Sequence, residues 1–293
     1  MKLVTYNIQF SRGRDGCCDL GRIAAAIDGA DIIALQEVER CWPRTGMTDQ
    51  PAELAALLPG YYWIYGPGLD MDASTAEGGV VENRRRQFGN MLLARWPIAS
   101  SRLYVLPKIR STDHFNMDMT ALEGVIATEA GPLRVWSIHL SSISSRERLL
   151  QIDYLRGLHE RASAGGGAWT GAPGISGDDS WSCGAPPPPM PVEAIWMGDF
   201  NLQPGSDEYD AIVGRSDPLH GRVVYDGDFV DAWAAAGHAE REGVTYKAEG
   251  RYDDLRLDYC FVSAPLAGRV RGAGIDGDAD GSDHQPVWTE LDL

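Results

Sequence analysis

Four apolar runs in this chain each lead into a side chain able to hold a divalent cation or a phosphate oxygen. Leu3-Val4-Thr5-Tyr6 precedes Asn7, and Ile32-Ile33-Ala34-Leu35-Gln36 precedes Glu37. Val135-Trp136-Ser137-Ile138 precedes His139, and Ala194-Ile195-Trp196-Met197 precedes Gly198-Asp199-Phe200-Asn201. A further polar set, Gly281-Ser282-Asp283-His284, stands just ahead of the C-terminal run. Ligands gather at strand ends in α/β proteins, and a sheet lays those ends side by side, so polar groups repeated there describe one shared site.

Glu37, Asp199, Asp258 and Asp283 are then four carboxylates converging on one spot. Each pair about 4 Å apart repels by roughly 1 to 4 kcal/mol depending on the effective dielectric, so an empty cluster is costly and a bound cation removes the cost. Oxygen ligands, with Asn7 as a neutral partner, suit a hard ion such as Mg²⁺, with Mn²⁺ tolerated, far better than zinc. Such an ion keeps several waters and uses one or two carboxylates directly, first Glu37 and second Asp283. In Asp199-Phe200-Asn201 an extended backbone points both polar side chains to one face and Phe200 into packing. His284, beside Asp283 and within reach of Asp258, can form a His–carboxylate pair in which the acid fixes the tautomer and raises proton affinity. His139 joins it by its place at a strand terminus. His114, His159, His220 and His238 lack such placement and read as ordinary polar residues.

The elements that must position these groups are legible in outline. Helical spacing covers 20–27 and closes at Gly29-Ala30-Asp31, a second helix covers 50–58 and stops at Pro59-Gly60, and a third covers 145–161. Strand-like runs cover 61–65, 90–94, 103–106, 122–127, 133–140, 258–262 and 287–291. From 163 to 192 the composition turns to Gly, Ala, Ser and Pro, too poor in apolar contacts to offset the entropy of ordering it. A strand resumes at Ala194, so this stretch reads as a surface insertion within one domain; Trp169 and Trp181 inside it could fold over a substrate, the simpler reading being a mobile loop. No internal repeat is visible.

Bulk properties narrow the class. At 293 residues and 44% hydrophobic content the chain can bury a large core. A net charge of −16 opposes capture of phosphate backbones, so nucleic acid is a disfavoured partner. Met1-Lys2 enters a strand pattern directly, with neither a signal-peptide pattern nor a membrane-length apolar run, which predicts a cytoplasmic protein. Five cysteines without a C-x-x-C pair argue against a zinc site or a disulfide framework, and no protein partner is implied.

Taken in chain order, Thr5-Tyr6-Asn7-Ile8, Leu35-Gln36-Glu37-Val38, Gly89-Asn90-Met91-Leu92-Leu93, Ile138-His139-Leu140, Gly198-Asp199-Phe200-Asn201, Arg256-Leu257-Asp258-Tyr259 and Ser282-Asp283-His284 resemble the endonuclease/exonuclease/phosphatase (deoxyribonuclease-I-like) superfamily. The match runs from residue 5 to 284. The resemblance implies one domain over 1–293, built as an α/β, four-layer α/β/β/α sandwich of two mixed sheets with outer helices. It implies a Mg²⁺-dependent hydrolase of phosphate esters. On this analogy Asn7 and Glu37 hold the metal with Asp283 nearby, and Asp199 orients or deprotonates water. Asn201 and His139 bind phosphate oxygens, His284 serves the phosphoryl centre with Asp258 behind it, and Asn90 is a supporting polar residue.

The substrate side departs from nuclease-like relatives, which carry basic grooves. Here the dense basic cluster is Arg84-Arg85-Arg86, with Arg44, Lys108 and Arg110 scattered. Arg86 and Arg44 are candidates for bidentate contact with a substrate anion, against the plainer reading of a solvated loop. The expectation is a phosphoesterase acting on a small or lipid-derived mono- or diester. An endo- or exonuclease is the alternative, and a non-catalytic scaffold of the same fold is third.

Overall fold

In the first strand Leu3 and Thr5 point to one side and Val4 and Tyr6 to the other, and all four side chains are fully buried. A strand buried on both faces must lie in an interior sheet covered by two layers. The computed structural model, described for residues 1–293 except 173, 175, 176, 178, 179, 249, 251 and 252, has that architecture. The chain runs β1 (Lys2–Asn7), α1 (Leu20–Ala26), β2 (Ile32–Arg40), α2 (Gln50–Leu57), β3 (Tyr62–Asp72), β4 (Thr75–Glu77), β5 (Val80–Glu82) and β6 (Arg85–Ala94). It continues through β7 (Ile98–Val105), β8 (Thr120–Thr128), β9 (Gly131–His139), α3 (Ser145–Gly165), β10 (Ala194–Asp199) and α4 (Asp207–Val213). The last part holds β11 (Ser216–Asp217), β12 (Gly221–Arg222), β13 (Phe229–Asp231), α5 (Ala232–Ala235), β14 (Asp258–Ser263), α6 (Ala264–Ala267), β15 (Val270–Ile275) and β16 (Val287–Leu291).

Two six-stranded mixed sheets result, in the orders β15-β16-β1-β2-β6-β3 and β13-β14-β10-β9-β8-β7. Each has one parallel pair, β1 with β2 and β10 with β9, and antiparallel neighbours on both sides. The sheets are thus topological counterparts, a repeat of architecture that no repeat of residues announces. Leu3, Ile32, Ala34 and Leu92 of one sheet pack against Leu122, Val135, Ile195, Met197 and Val262 of the other. On the outer faces, Val4, Ile33, Leu35 and Met91 cluster with Ile23 of α1 and Leu54 of α2, while Trp136, Ile138, Trp196 and Phe261 cluster with Ile152 and Leu155 of α3 and Tyr209 and Ile212 of α4. Each such side chain taken from water contributes about 1.5–3 kcal/mol.

Between the sheets the apolar core gives way to a buried polar seam under the strand ends. Gln36 Nε2 donates to Ser137 Oγ (2.9 Å), Ser137 Oγ donates to the Leu35 carbonyl (2.9 Å), and Asn90 of β6 donates across to the carbonyls of Thr120 (2.8 Å) and Ser137 (2.9 Å). Asn90 therefore ties one sheet to the other. At Gly198 of β10 a Cβ would lie 1.8 Å from the Ile138 carbonyl oxygen, so only glycine lets the parallel neighbours approach there.

Several expectations shift in detail. Glu37 does not end its strand: β2 continues to Arg40, and the pairing with β6 jumps from Leu35↔Met91 to Val38↔Gly89, a bulge that puts Glu37 at φ 60°. The third helix runs on to Gly165, into the start of the expected 163–192 insertion. Trp181 is almost wholly exposed and Trp169 half-buried. His159, which reads from the sequence as an ordinary polar residue, is buried against Arg134. No disulfide forms among the described residues, and no helix among them is long and apolar enough to cross a membrane.

Candidate active site

The strand ends that meet at one edge of the sandwich are the C-termini of β1, β9 and β10 and the N-terminus of antiparallel β14, which starts at Asp258 paired with Asp199. A cavity of about 420 Å³ opens there, lined by Gln9, Glu37, His139, Asp199, Asn201, Asp283 and His284 on the polar side. Met117, Met119, Tyr246, Leu255 and Leu257 form an apolar wall, and Ser142 and Arg148 complete it. The size suits a small molecule or one group of a larger one.

Asn7 is the hub of the polar side. Its amide Nδ2 donates to Glu37 Oε1 (3.1 Å) and Asp199 Oδ2 (3.0 Å), and its Oδ1 accepts from the Gln9 backbone N–H (3.1 Å). Gln9 sits at φ 42° and donates from Nε2 to Asp283 Oδ2 at 2.7 Å. Asp283 is held from behind, because its carbonyl accepts from Lys247 N–H (3.0 Å) and Ser282 Oγ donates to the Asn7 carbonyl (2.8 Å). The 245–247 segment does the same for Asp258: Thr245 Oγ1 accepts from the N–H groups of Leu257 (2.9 Å) and Asp258 (3.0 Å), and the Tyr246 ring lies 4.9 Å from that of His284.

Asp199 and Asn201 both line the cavity, but not as two extended residues. β10 ends at Asp199, and Asn201 turns to φ 50°, so that its N–H donates to Asp199 Oδ1 (2.9 Å) and its Nδ2 to the Leu140 carbonyl (3.0 Å). Phe200 between them is fully buried in the outer core.

His284 Nδ1 faces Asp258 Oδ2 at 2.8 Å, while Nε2 of His284 and of His139 lie 3.8 and 3.5 Å from Asp199 Oδ2. The charges follow from these distances. Burial opposes a proton on His284, but Asp258, Asp199 and Asp283 outweigh it and push its pKa up to about 10. Burial, reinforced by the charge of Asp258, pushes Asp199 up to about 7. Burial likewise raises Glu37 and Asp283 and lowers His139. Four carboxylates, Glu37, Asp199, Asp258 and Asp283, gather around His284, and among the described residues Asp258 Oδ1 is buried with no hydrogen-bond partner.

These donors fit a hard divalent cation. Asp199, Asp258 and His284 bring one ligand-type atom each within 4.8 Å of one another. His284 has already committed Nδ1 to Asp258, however. Glu37 and Asp283, carboxylates on the cavity surface, are the better all-oxygen pair. Asn7 would need to offer Oδ1, which here accepts from Gln9.

Asn7, Glu37, His139, Asp199, Asn201, Asp258, Asp283 and His284 are thus brought together. Asn90 lies beneath them in the seam. Arg44 is elsewhere: Nε and Nη2 bind Glu39 Oε2 (3.1 and 2.7 Å) and the guanidinium stacks 3.9 Å over Phe10. Arg86 binds the Cys41 carbonyl (3.3 Å), Arg84 pairs with Glu82 and Arg85 with Asp70. None of these arginines lines the cavity, nor do Trp169 and Trp181. Sequence reasoning missed Gln9, Thr245, Tyr246 and Arg148. Arg148 alone left a signal, a cation nine residues after His139 in the helix that opens at Ser145.

The sequence profile of the Endonuclease/Exonuclease/phosphatase family matches residues 4–284. No curated protein sequence matches the chain. Among solved structures, an endonuclease/exonuclease/phosphatase from Beutenbergia cavernae DSM 12333 superposes with TM-score 0.66 at 22% identity, over 100% of this chain and 71% of that one. Mannosyl-6-phosphatase from Bacteroides thetaiotaomicron VPI-5482 gives 0.63 at 16% identity with both chains fully covered. A 3' phosphatase from Neisseria, bound to a product DNA hairpin, gives 0.58 at 15% identity, again with both fully covered. At these identities the likeness is one of fold.

Proposed function

The chain belongs to the Endonuclease/Exonuclease/phosphatase family, and from that premise we propose that it is a divalent-metal-dependent hydrolase of a phosphate mono- or diester, small or lipid-derived. The observation that carries this reading is the convergence of Glu37, His139, Asp199, Asn201, Asp283 and His284 on one cavity, beside an apolar wall sized for a compact organic group.

Phosphoryl transfer needs a water placed in line and neutralised charge on the phosphate oxygens. Asp199, with its pKa near 7, can accept a proton from that water at neutral pH and is oriented for it by Asn7 and the Asn201 N–H. His139 Nε2 and the second N–H of the Asn201 amide donate to phosphate oxygens. His284, kept protonated by Asp258, stabilises charge at the phosphoryl centre or protonates the leaving oxygen. Glu37 and Asp283 would hold a divalent cation, Mg²⁺ by preference and Mn²⁺ in its place, which when bound would supply Lewis-acid neutralisation of the phosphate.

Nucleic acid is the second reading, favoured by a shared fold with the DNA-bound Neisseria phosphatase and opposed by the net charge of −16. A hydrolysis screen with Mg²⁺ or with EDTA, across a monoester, a diester, a phospholipid and an oligonucleotide, tests both. Metal-dependent turnover of a small or lipid ester supports the proposal. Turnover of the oligonucleotide alone supports the second reading, and turnover of none leaves a non-catalytic scaffold.

A further inference from the structure

We propose that Arg148 is a specificity residue that reads a second anionic oxygen on the substrate phosphate, so that the site favours phosphomonoesters over diesters. The proposal rests on the phosphoesterase reading above and deepens it.

Arg148 lies in the first turn of α3 and lines the same cavity as His139 and Asn201. Among the described residues lining that cavity it is the only arginine or lysine, and it faces a space bounded by the carboxylates of Glu37, Asp199 and Asp283. Its side chain is only 14% exposed and is fixed on two sides. Nε and Nη2 donate to one oxygen of Glu208 in α4 (3.0 and 2.8 Å), and Nη1 donates to the Ser141 carbonyl (3.0 Å).

Among the described residues three of the guanidinium's five N–H groups are spent in these bonds, leaving one on Nη1 and one on Nη2. An N–H on each Nη atom of one guanidinium can form the fork that binds a phosphate or carboxylate bidentately. The anchoring carbonyl places that fork beside the proposed phosphate donors. His139, Leu140 and Ser141 are consecutive; the first lines the cavity, the second holds the Asn201 amide, and the third holds Arg148. Imidazole, amide and guanidinium therefore hang from one short stretch of chain.

The charge of the pocket gives this fork a purpose. A diester presents one negative charge and a monoester near neutral pH presents close to two, and the second must be brought among carboxylates. A guanidinium oriented before the substrate arrives offsets that repulsion at no further ordering cost. A flexible cation would serve less well, and Glu208 is what removes the flexibility.

The test compares an aryl phosphate with the methyl ester of the same aryl phosphate, so that the leaving group is constant, and adds calorimetric titration with inorganic phosphate. Wild type, Arg148→Lys, Arg148→Met and Glu208→Gln are measured in Mg²⁺, each with its thermal unfolding midpoint. Arg148→Met is expected to lower kcat/KM for the monoester about 10- to 100-fold more than for the diester and to weaken phosphate binding similarly, as loss of charge-assisted hydrogen bonds requires. Arg148→Lys should recover part of both losses. Glu208→Gln, which keeps the cation but loosens its anchor, should raise KM for the monoester more than it lowers kcat.

Equal losses on the two esters, or phosphate binding untouched by Arg148→Met, would overturn the proposal and leave Arg148 as a tie between α3 and α4. If Arg148→Met does not fold, unchanged selectivity and phosphate binding in folded Glu208→Gln and Arg148→Lys overturn it equally. Should wild type be inert to both aryl esters, the four-substrate screen above judges the phosphoesterase reading, and the phosphate titration of wild type and Arg148→Met judges Arg148.

Discussion

His284 is locked to Asp258 through Nδ1 at 2.8 Å, and this fixes which face of the imidazole the pocket sees: Nε2 points toward Asp199, 3.8 Å away. Asp258 is fully buried and takes no part in lining the cavity, so it acts through the histidine. Asp258→Asn keeps the shape but removes the negative charge that holds the proton. The expected outcome is a loss in kcat of about 10²–10⁴ with a normal circular dichroism spectrum, the size of effect that general acid–base help supplies. A loss under threefold in steady-state kinetics would remove the pair from the mechanism.

Glu37 occupies a left-handed backbone position at a bulge, a conformation that costs a non-glycine residue about 1–3 kcal/mol and persists only where the surroundings impose it. The strain turns a carboxylate into the cavity that regular alternation would have placed differently. Because burial already disfavours its charge, Glu37→Gln should leave the apo protein at least as stable while moving half-saturation by Mg²⁺ at least about tenfold higher, as a lost charged ligand implies. Isothermal titration with Mg²⁺ decides it; an unchanged curve means the ion is held elsewhere.

These two relationships mark the limit of what the chain discloses by inspection. The outer and inner faces of β1, β2, β9 and β10 are written as alternating apolar residues, and the polar residue after each run announces the site, because strand period and strand ends are local properties. The bulge at Glu37 and the turn at Asn201 are left-handed exceptions that no period encodes. The cradle made by Thr245, Tyr246 and Gln9 is long-range: Thr245 meets Asp258, and Gln9 meets Asp283. Local charge alone singles out Arg44 and Arg86, and the structure gives each an internal partner, Glu39 and the Cys41 carbonyl.

Gly198 (φ 155°) and Gly29 (φ 82°) both hold backbone conformations that favour glycine, but only Gly198 adds a close strand approach. An alanine Cβ there meets the Ile138 carbonyl at 1.8 Å, whereas at Gly29 (φ 82°) it meets nothing within 4 Å. Gly29→Ala should therefore cost about 1 kcal/mol, the conformational penalty alone. Gly198→Ala should cost at least about 3 kcal/mol, because β9 and β10 must separate under the site. Urea denaturation of both variants measures the difference, and equal midpoints would mean the strands yield freely.

His159 supplies a pH dependence that is independent of the catalytic groups. It is buried in α3 against Arg134, Trp196 and Phe229, and burial first, then the charges of Arg134 and Arg156, lowers its pKa from 6.5 to about 4. A base with a depressed pKa stays neutral in the fold while the unfolded chain takes up a proton below pH 6.5. The unfolded state then binds more protons, so stability falls as pH drops from 6.5 to 4 and levels off below. The full effect is about 3 kcal/mol. His159→Gln cannot titrate, so its unfolding midpoint should decline less than wild type between pH 7 and pH 4.5, with protonation of the carboxylates common to both. Parallel declines would show that His159 is charged within the folded protein.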